Sequence, residues 1–247
     1  MKILSWNINH RIQMKKIPTS VLSIINEISP DLLVLNEYVD GDERIHFKYG
    51  LKENGFTHIS ISNKFDRQNQ VLIASRVKHE RGDLKPPSYD ESSITNFLHV
   101  GLPIFGIEVV GIRVPAYKKA GELKSYWAEL LSIIRSTKSR NIVFVGDFNC
   151  DPEISKTPGA KVLKLLREEG WKIPPPYGNW SYISYNGQRR SRLDYTLASP
   201  AVGDISGTYV SKLGSYIIAG PKEKNPISDH AILISEVGHN KSLDLTG

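Results

Sequence analysis

Two stretches of this 247-residue chain, 32–35 (LLVL) and 142–145 (IVFV), are apolar at every position. A strand with one face in water alternates apolar and polar residues, so an unbroken apolar run reads as a strand covered on both faces. Residues 2–8 (KILSWNI) read as a third such strand that begins almost at the first residue. Further strand-like segments fall near 56–62, 70–76, 94–100, 104–113, 192–198, 206–213 and 229–236, where β-branched residues alternate with turn-forming Gly, Pro and Asp. Helical spacing is confined to three places. Val21, Leu22, Ile24, Ile25 and Ile28 follow Pro18 and Thr19 and stop at Pro30; Leu123, Trp127, Leu130, Leu131 and Ile134 stripe 120–138; and 158–169 ends at Gly170. Many strands, few helices and strands near both ends predict an α/β chain in which two β-sheets pack together with helices outside. Residues 1–237 are expected to form one domain, with a polar tail at 238–247.

The composition excludes several classes of protein. Cys150 is the only cysteine, so a disulfide scaffold is ruled out. No pair of histidines has zinc-site spacing, and no GxxxxGK[ST] phosphate loop occurs. Ser181 and Ser228 lack the setting of a nucleophile elbow. The first ten residues, MKILSWNINH, are too short and polar in their apolar part for a signal-peptide core, and no run reaches the ~18 apolar residues of a membrane span. The expectation is a cytoplasmic protein with no membrane partner, monomeric by preference. The net charge of +6 suits a polyanionic partner and equally suits a mildly basic enzyme.

The informative feature lies where the apolar runs stop. Asn7 and Asn9 follow the first strand, Asn36 and Glu37 the second, and Asp147 and Asn149 follow IVFVG; Asp194 sits in SRLDY, and Asp229 and His230 precede the last strand. Any one of these is an ordinary turn former. Together they are rich in metal-ligand and acid–base groups, and sheet ends are where layered α/β proteins bind ligands. Hard oxygen donors such as Glu37 suit Mg²⁺ or Mn²⁺. An acidic metal ligand, a general-base Asp and a phosphate-binding His supply what hydrolysis of a phosphoester requires.

The segments WNIN at 6–9, PDLLVLNE at 30–37, GDFN at 146–149, SRLDY at 191–195 and SDH at 228–230 resemble, in order, the motifs of the endonuclease/exonuclease/phosphatase superfamily. Its members include pancreatic deoxyribonuclease, exonuclease III-type abasic-site endonucleases, sphingomyelinases and inositol phosphatases. The resemblance spans nearly the whole chain and implies a four-layer α-β-β-α sandwich with two packed mixed sheets. It implies Glu37 as the main metal ligand, with Asn9 and Asp229 at the metal site. Asn7 would sit beside Glu37, binding water on the ion or holding neighbouring groups. Asp147 would orient and deprotonate the attacking water, and Asn149 would bind that water or a phosphate oxygen. His230 would donate to a non-bridging phosphate oxygen, and Asp194 would keep its imidazole oriented.

Three positions depart from the abasic-site members. Asn9 stands where they carry Asp, so it brings no negative charge. Arg113, in RVPAY, occupies a position usually held by Tyr or His; an arginine keeps its proton and serves as a fork of donors for phosphate or leaving oxygen. Ser191 replaces the Trp that helps line a pocket for a base-free sugar. For the substrate, the segment 177–192 interleaves Tyr177, Trp180, Tyr182 and Tyr185 with Arg189, Arg190 and Arg192. Tyr182 and the three arginines are the candidate nucleic-acid contacts, by stacking and phosphate binding. The alternative is a loop pinned to the body by its aromatics. Lys118, Lys119 and Lys124 form a second basic group. The leading expectation is a Mg²⁺-dependent nuclease acting on DNA or RNA. A small-molecule phosphodiesterase or phosphatase, and a binding protein that kept the fold, stay open.

Overall fold

The computed structural model describes residues 1–9, 16–117, 119–154 and 156–238; Lys118 and all of the expected tail except Gly238 lie outside them. In chain order the strands are β1 (Lys2–Asn7), β2 (Leu32–Tyr38), β3 (His58–Ile61), β4 (Gln70–Ser75), β5 (Glu80–Arg81), β6 (Phe97–Leu102), β7 (Ile107–Arg113) and β8 (Ile142–Asp147). They continue as β9 (Tyr182–Ile183), β10 (Arg190–Ser191), β11 (Asp194–Ala198), β12 (Ile205–Val210), β13 (Lys212–Leu213), β14 (Tyr216–Ile217) and β15 (Ile232–Val237). The α-helices are α1 (Thr19–Ile28), α2 (Ile45–Glu53), α3 (Glu91–Thr95), α4 (Ala120–Ser136) and α5 (Pro158–Glu168).

Two sheets carry the fold, in the orders β12-β15-β1-β2-β4-β3 and β11-β8-β7-β6-β5. Each contains one parallel pair, β1 with β2 and β7 with β8, among antiparallel neighbours, so both are mixed. Three apolar clusters mark the three interfaces between four layers. Ile3, Leu32 and Val34 meet Val100, Val109, Val143 and Val145 between the sheets. On the other face of the first sheet, Leu33 and Leu35 pack with Val21 and Ile24 of α1 and Leu51 of α2. On the outside of the second, Phe144 and Ile112 pack with Trp127 and Leu130 of α4 and Leu163 of α5. The alternation in LLVL therefore separates a sheet-facing set from a helix-facing set, both fully buried. The close approach of α5 to α4 relies on Gly159, where a Cβ would lie 2.5 Å from the Trp127 ring.

The expected strand near 94–100 starts later than the apolar pattern suggests. Residues 91–95 form the short helix α3, because Asp90 accepts from the Ser93 N–H while the Ser93 hydroxyl accepts from the Asp90 N–H, a capping box. Helix α2 is not marked in the sequence by a continuous stripe: Phe47 and Leu51 are buried, but Ile45 and Tyr49 are each 62% exposed.

Candidate active site

Topology gathers the polar strand ends. The parallel pairing of β1 and β2 sets Asn7 beside Asn36, and that of β7 and β8 sets Arg113 beside Asp147. Asp194 opens β11, antiparallel to β8, and lies opposite Asp147. His230 lies two residues before β15, which runs antiparallel to β1. The C-terminal ends of the parallel strands and the N-terminal ends of their antiparallel partners thus share one rim, where the two sheets meet. The backbone there is strained. Glu37, Asn149 and Asn9 have φ of 57°, 49° and 48°, and Gly146 has φ 147°. Glu37 lies within an irregularity in the β2–β4 ladder between Leu35 and Tyr38. Such a bulge re-aims a side chain at the cost of regular pairing, and strain of about 1–3 kcal/mol per residue tends to collect at functional sites.

Asn7 ties the two sheets together. Its Nδ2 donates to Glu37 Oε1 at 3.3 Å and to Asp147 Oδ2 at 3.1 Å, while its Oδ1 accepts from the Asn9 N–H at 3.0 Å. All of Asn7's polar atoms are committed to holding neighbours. Asp147 is 1% exposed and accepts the Asn149 N–H at 2.9 Å. Burial pushes its carboxyl up to about 6; His230 opposes the rise, Asp194 adds to it, and Arg113 and the Asn149 N–H oppose it. Asn149 turns its own Nδ2 to the Val114 carbonyl at 2.6 Å.

His230 Nδ1 meets Asp194 Oδ2 at 2.8 Å. Burial disfavours the imidazolium, yet the charge and hydrogen bond of Asp194, with the charges of Asp147 and Asp229, raise it to about 10. The main chain of His230 is pinned as well: its carbonyl accepts from Trp6 Nε1 at 3.0 Å, and its N–H donates to the Ser228 hydroxyl at 3.0 Å. That hydroxyl donates in turn to the Asn7 carbonyl at 2.7 Å, so the WNIN and SDH segments are bonded to each other. Ser181, buried, accepts from the Leu193 and Asp194 N–H groups at 2.8 and 3.1 Å. Sequence patterns assign Ser181 and Ser228 no role, because such bonds join segments remote along the chain.

Asn7, Glu37, Arg113, Asp147, Asn149, Asp194 and His230 therefore form one constellation. Asp229 adjoins it, its charge acting on His230. Asn9, whose N–H bonds Asn7 Oδ1, also lines a cleft of about 500 Å³ with Lys16, Tyr216 and Lys224. Arg113 Nη2 lies 2.9 Å from Glu37 Oε1, and its Nε 3.9 Å from Asp147 Oδ2. The donor set suits a hard divalent cation. Among the described residues Glu37 Oε2 and Asp194 Oδ1 are buried without a hydrogen-bond partner, and a buried carboxylate oxygen left open in a polar hollow is the kind of atom a cation satisfies. Asp147, Asp194 and His230 also present ligand atoms within 4.8 Å of one another. A second such group, Asp83, His99 and Glu108, lies at the start of β7, the end opposite Arg113. Arg140 bonds both carboxylates there, while His99 Nδ1 accepts the Leu84 N–H at 3.1 Å and Nε2 faces Glu108 at 2.7 Å, making it a closed ion-pair network.

The aromatic and basic segment forms the hairpin β9–β10, in which Tyr182 pairs with Ser191. It joins the site through main-chain bonds: the Ile183 N–H donates to the Asp229 carbonyl and the Ala231 N–H to the Ser181 carbonyl. The Tyr182 ring stands 5.1 Å from the His230 ring. Arg190 lies over Trp180 at 5.6 Å, and Tyr177 and Tyr185 are 82% and 66% exposed, so these two aromatics do not anchor the loop in the core. Arg189 is exposed. Arg192 instead braces the loop, donating to the Gly178 carbonyl at 2.9 Å. Lys119 pairs with Glu122 at 3.5 Å.

Gly146 shows how tightly the rim is built. A Cβ there would stand 1.9 Å from the Ile112 carbonyl oxygen, at a φ that L-residues rarely adopt. Gly146→Ala is expected to cost at least about 3 kcal/mol in urea unfolding. It should also displace Asp147, the next residue, from its bond to Asn7.

Comparison with known proteins agrees with this architecture. The chain is similar to the 3′ phosphatase NExo from Neisseria, bound to product DNA hairpin, with TM-score 0.70 and 19% identity over 96% of this chain and 99% of that one. It is similar to an AP endonuclease from Archaeoglobus fulgidus, with TM-score 0.69 and 20% identity over the same shares. Truncated TDP2 from Caenorhabditis elegans gives 0.70 and 16%, over 96% of each chain. No curated protein matches by sequence. The model of the Endonuclease/Exonuclease/phosphatase family matches residues 4–230, which include each of the polar strand ends gathered at this rim, and the chain belongs to that family.

Proposed function

We propose that this member of a phosphoesterase family is a metal-dependent nuclease, hydrolysing phosphodiester bonds of DNA or RNA. The observation that carries the chemistry is the buried Asp147 carboxylate, aligned by Asn7 and Asn149 and set across the rim from a His230 imidazolium. With its proton affinity raised to about 6, Asp147 is ionised near neutral pH and still basic enough to take a proton from an attacking water. His230, cationic and fixed by Asp194, donates to a non-bridging oxygen as charge builds on it. Arg113 provides a second fixed positive group. Glu37, with Asp229 and Asn9 to the side, would hold Mg²⁺ or Mn²⁺, which supplies Lewis-acid polarisation of the phosphoryl group.

The nucleic-acid reading is supported by the exposed Tyr177 and Tyr185, by Tyr182 beside His230, and by Arg189 and Arg190 on the same hairpin. Neighbours of the same fold include an AP endonuclease and a phosphatase bound to a DNA hairpin. With Ser191 opposite Tyr182, the hairpin carries no Trp at the position that abasic-site members use, which favours an end or an ordinary phosphodiester over a base-free sugar. Purified protein with Mg²⁺ is expected to nick plasmid or shorten labelled oligonucleotides, with activity lost to EDTA and falling steeply with added salt. Phosphate release from small phosphoesters with no cleavage of any nucleic acid would replace this reading with the metabolite-directed one.

A further inference from the structure

Glu37 divides its two carboxylate oxygens between different environments. Oε1 is held by Arg113 Nη2 at 2.9 Å and by Asn7, while Oε2 is buried and open. The Arg113–Glu37 pair is well shielded, with side chains 14% and 10% exposed. Arg113 itself is only partly used: among the described residues its Nε is buried with no hydrogen-bond partner, pairing with Asp147 Oδ2 only at 3.9 Å. A guanidinium that leaves a buried donor unpaired is not placed for stability alone, because an orphaned charged donor costs free energy. Its position on the last residue of β7 places a permanent positive charge between the two carboxylates of the site.

We propose that Arg113 is the resting counter-cation of the Glu37 seat, competing with the divalent ion and thereby setting how tightly that ion is held. The inference rests on the metal-dependent reading above. Two positive charges a few ångströms apart repel strongly in a shielded site, so the ion and the guanidinium cannot both enjoy the full attraction of one carboxylate. When the ion takes Glu37, Arg113 is left with its fork unspent, and an incoming phosphate becomes its best partner. The site would thus trade metal affinity for phosphate affinity: weak ion binding without substrate, tight binding when phosphate supplies the compensating charge.

Isothermal titration of the metal-free protein with Mn²⁺, with melting temperatures recorded beside it, tests the inference without reference to turnover. Arg113→Met is expected to bind Mn²⁺ about tenfold or more tightly than the unsubstituted protein. Its metal-free form should melt lower and gain more on Mn²⁺ addition, since Glu37 then lacks a counter-charge. Arg113→Gln carries the same expectation should the methionine variant fold poorly, and Arg113→Lys, which keeps the charge, should stay within about threefold of the parent. Equal or weaker Mn²⁺ binding in both neutral variants would overturn the proposal. If the unsubstituted protein binds no Mn²⁺, or if Glu37→Gln binds as well as the parent, the metal-dependent reading of the seat fails instead.

Discussion

Asp147→Asn is expected to lower cleavage by about 10²–10⁴-fold while shifting stability by no more than about 1 kcal/mol. The amide has no lone pair basic enough to accept a proton from water, so the chemical role disappears. The fold is spared because two effects oppose each other. Removing a carboxylate that is 1% exposed relieves the desolvation that pushes its proton affinity up to about 6. The new amide keeps an oxygen for the Asn149 N–H but turns a donor toward Asn7 Nδ2, where Asp147 Oδ2 accepted at 3.1 Å. The same titration sets the acid side of the rate profile. Activity of the unsubstituted protein should rise with pH through about 6 as Asp147 ionises, then fall toward about 10 as His230 gives up its proton. The residual activity of the asparagine variant should lose the acid limb and keep the alkaline one. An acid limb that survives the substitution would remove Asp147 from the role of base.

What the sequence makes legible follows from what is periodic or local. The runs 32–35 and 142–145 identify buried central strands because every position faces another layer, and the polar residues that end them mark the rim of the sheets. Helix α2 escapes such reading because its neighbours share the work of covering the first sheet, so two buried residues suffice and its other apolar side chains stay in water. The site is legible as a set of residues and illegible as a mechanism of positioning. Nothing along the chain tells that the Ser228 hydroxyl joins Asn7 to His230, or that Ser181 holds the start of β11. Arg113 is the clearest case. Its sequence context suggests a phosphate-facing donor, but only the register of β7 on β8, together with the bulge that turns Glu37, shows that it rests on a carboxylate. Arg192, grouped with the phosphate-binding arginines by composition, spends its fork on a loop carbonyl for the same reason: its partner lies 14 residues away.

His230→Ala is expected to damage activity and fold together, lowering turnover by about 10²–10³-fold and stability by about 3–5 kcal/mol. The catalytic part is the loss of a charged donor to the phosphoryl oxygen. The larger structural part comes from what is left behind: Asp194 is 1% exposed, its Oδ1 lacks a hydrogen-bond partner among the described residues, and without the imidazolium its Oδ2 loses the His230 bond as well, beside an equally buried Asp147. The pH dependence separates this from the loss of packing. Because the folded-state proton affinity of His230 is raised from 6.5 to about 10, the stability it contributes is complete below about 6.5 and is lost as pH rises through about 10. The gap between parent and variant in urea unfolding should therefore narrow from pH 6.5 to pH 10. His230→Gln, which restores a neutral donor near Asp194, should recover part of the stability at pH 6.5 but show no such narrowing relative to the alanine variant. Should the parent–alanine gap stay constant across that range, the imidazole would be neutral in the folded protein, and the phosphoryl oxygen would need its positive charge from Arg113 and the bound ion alone.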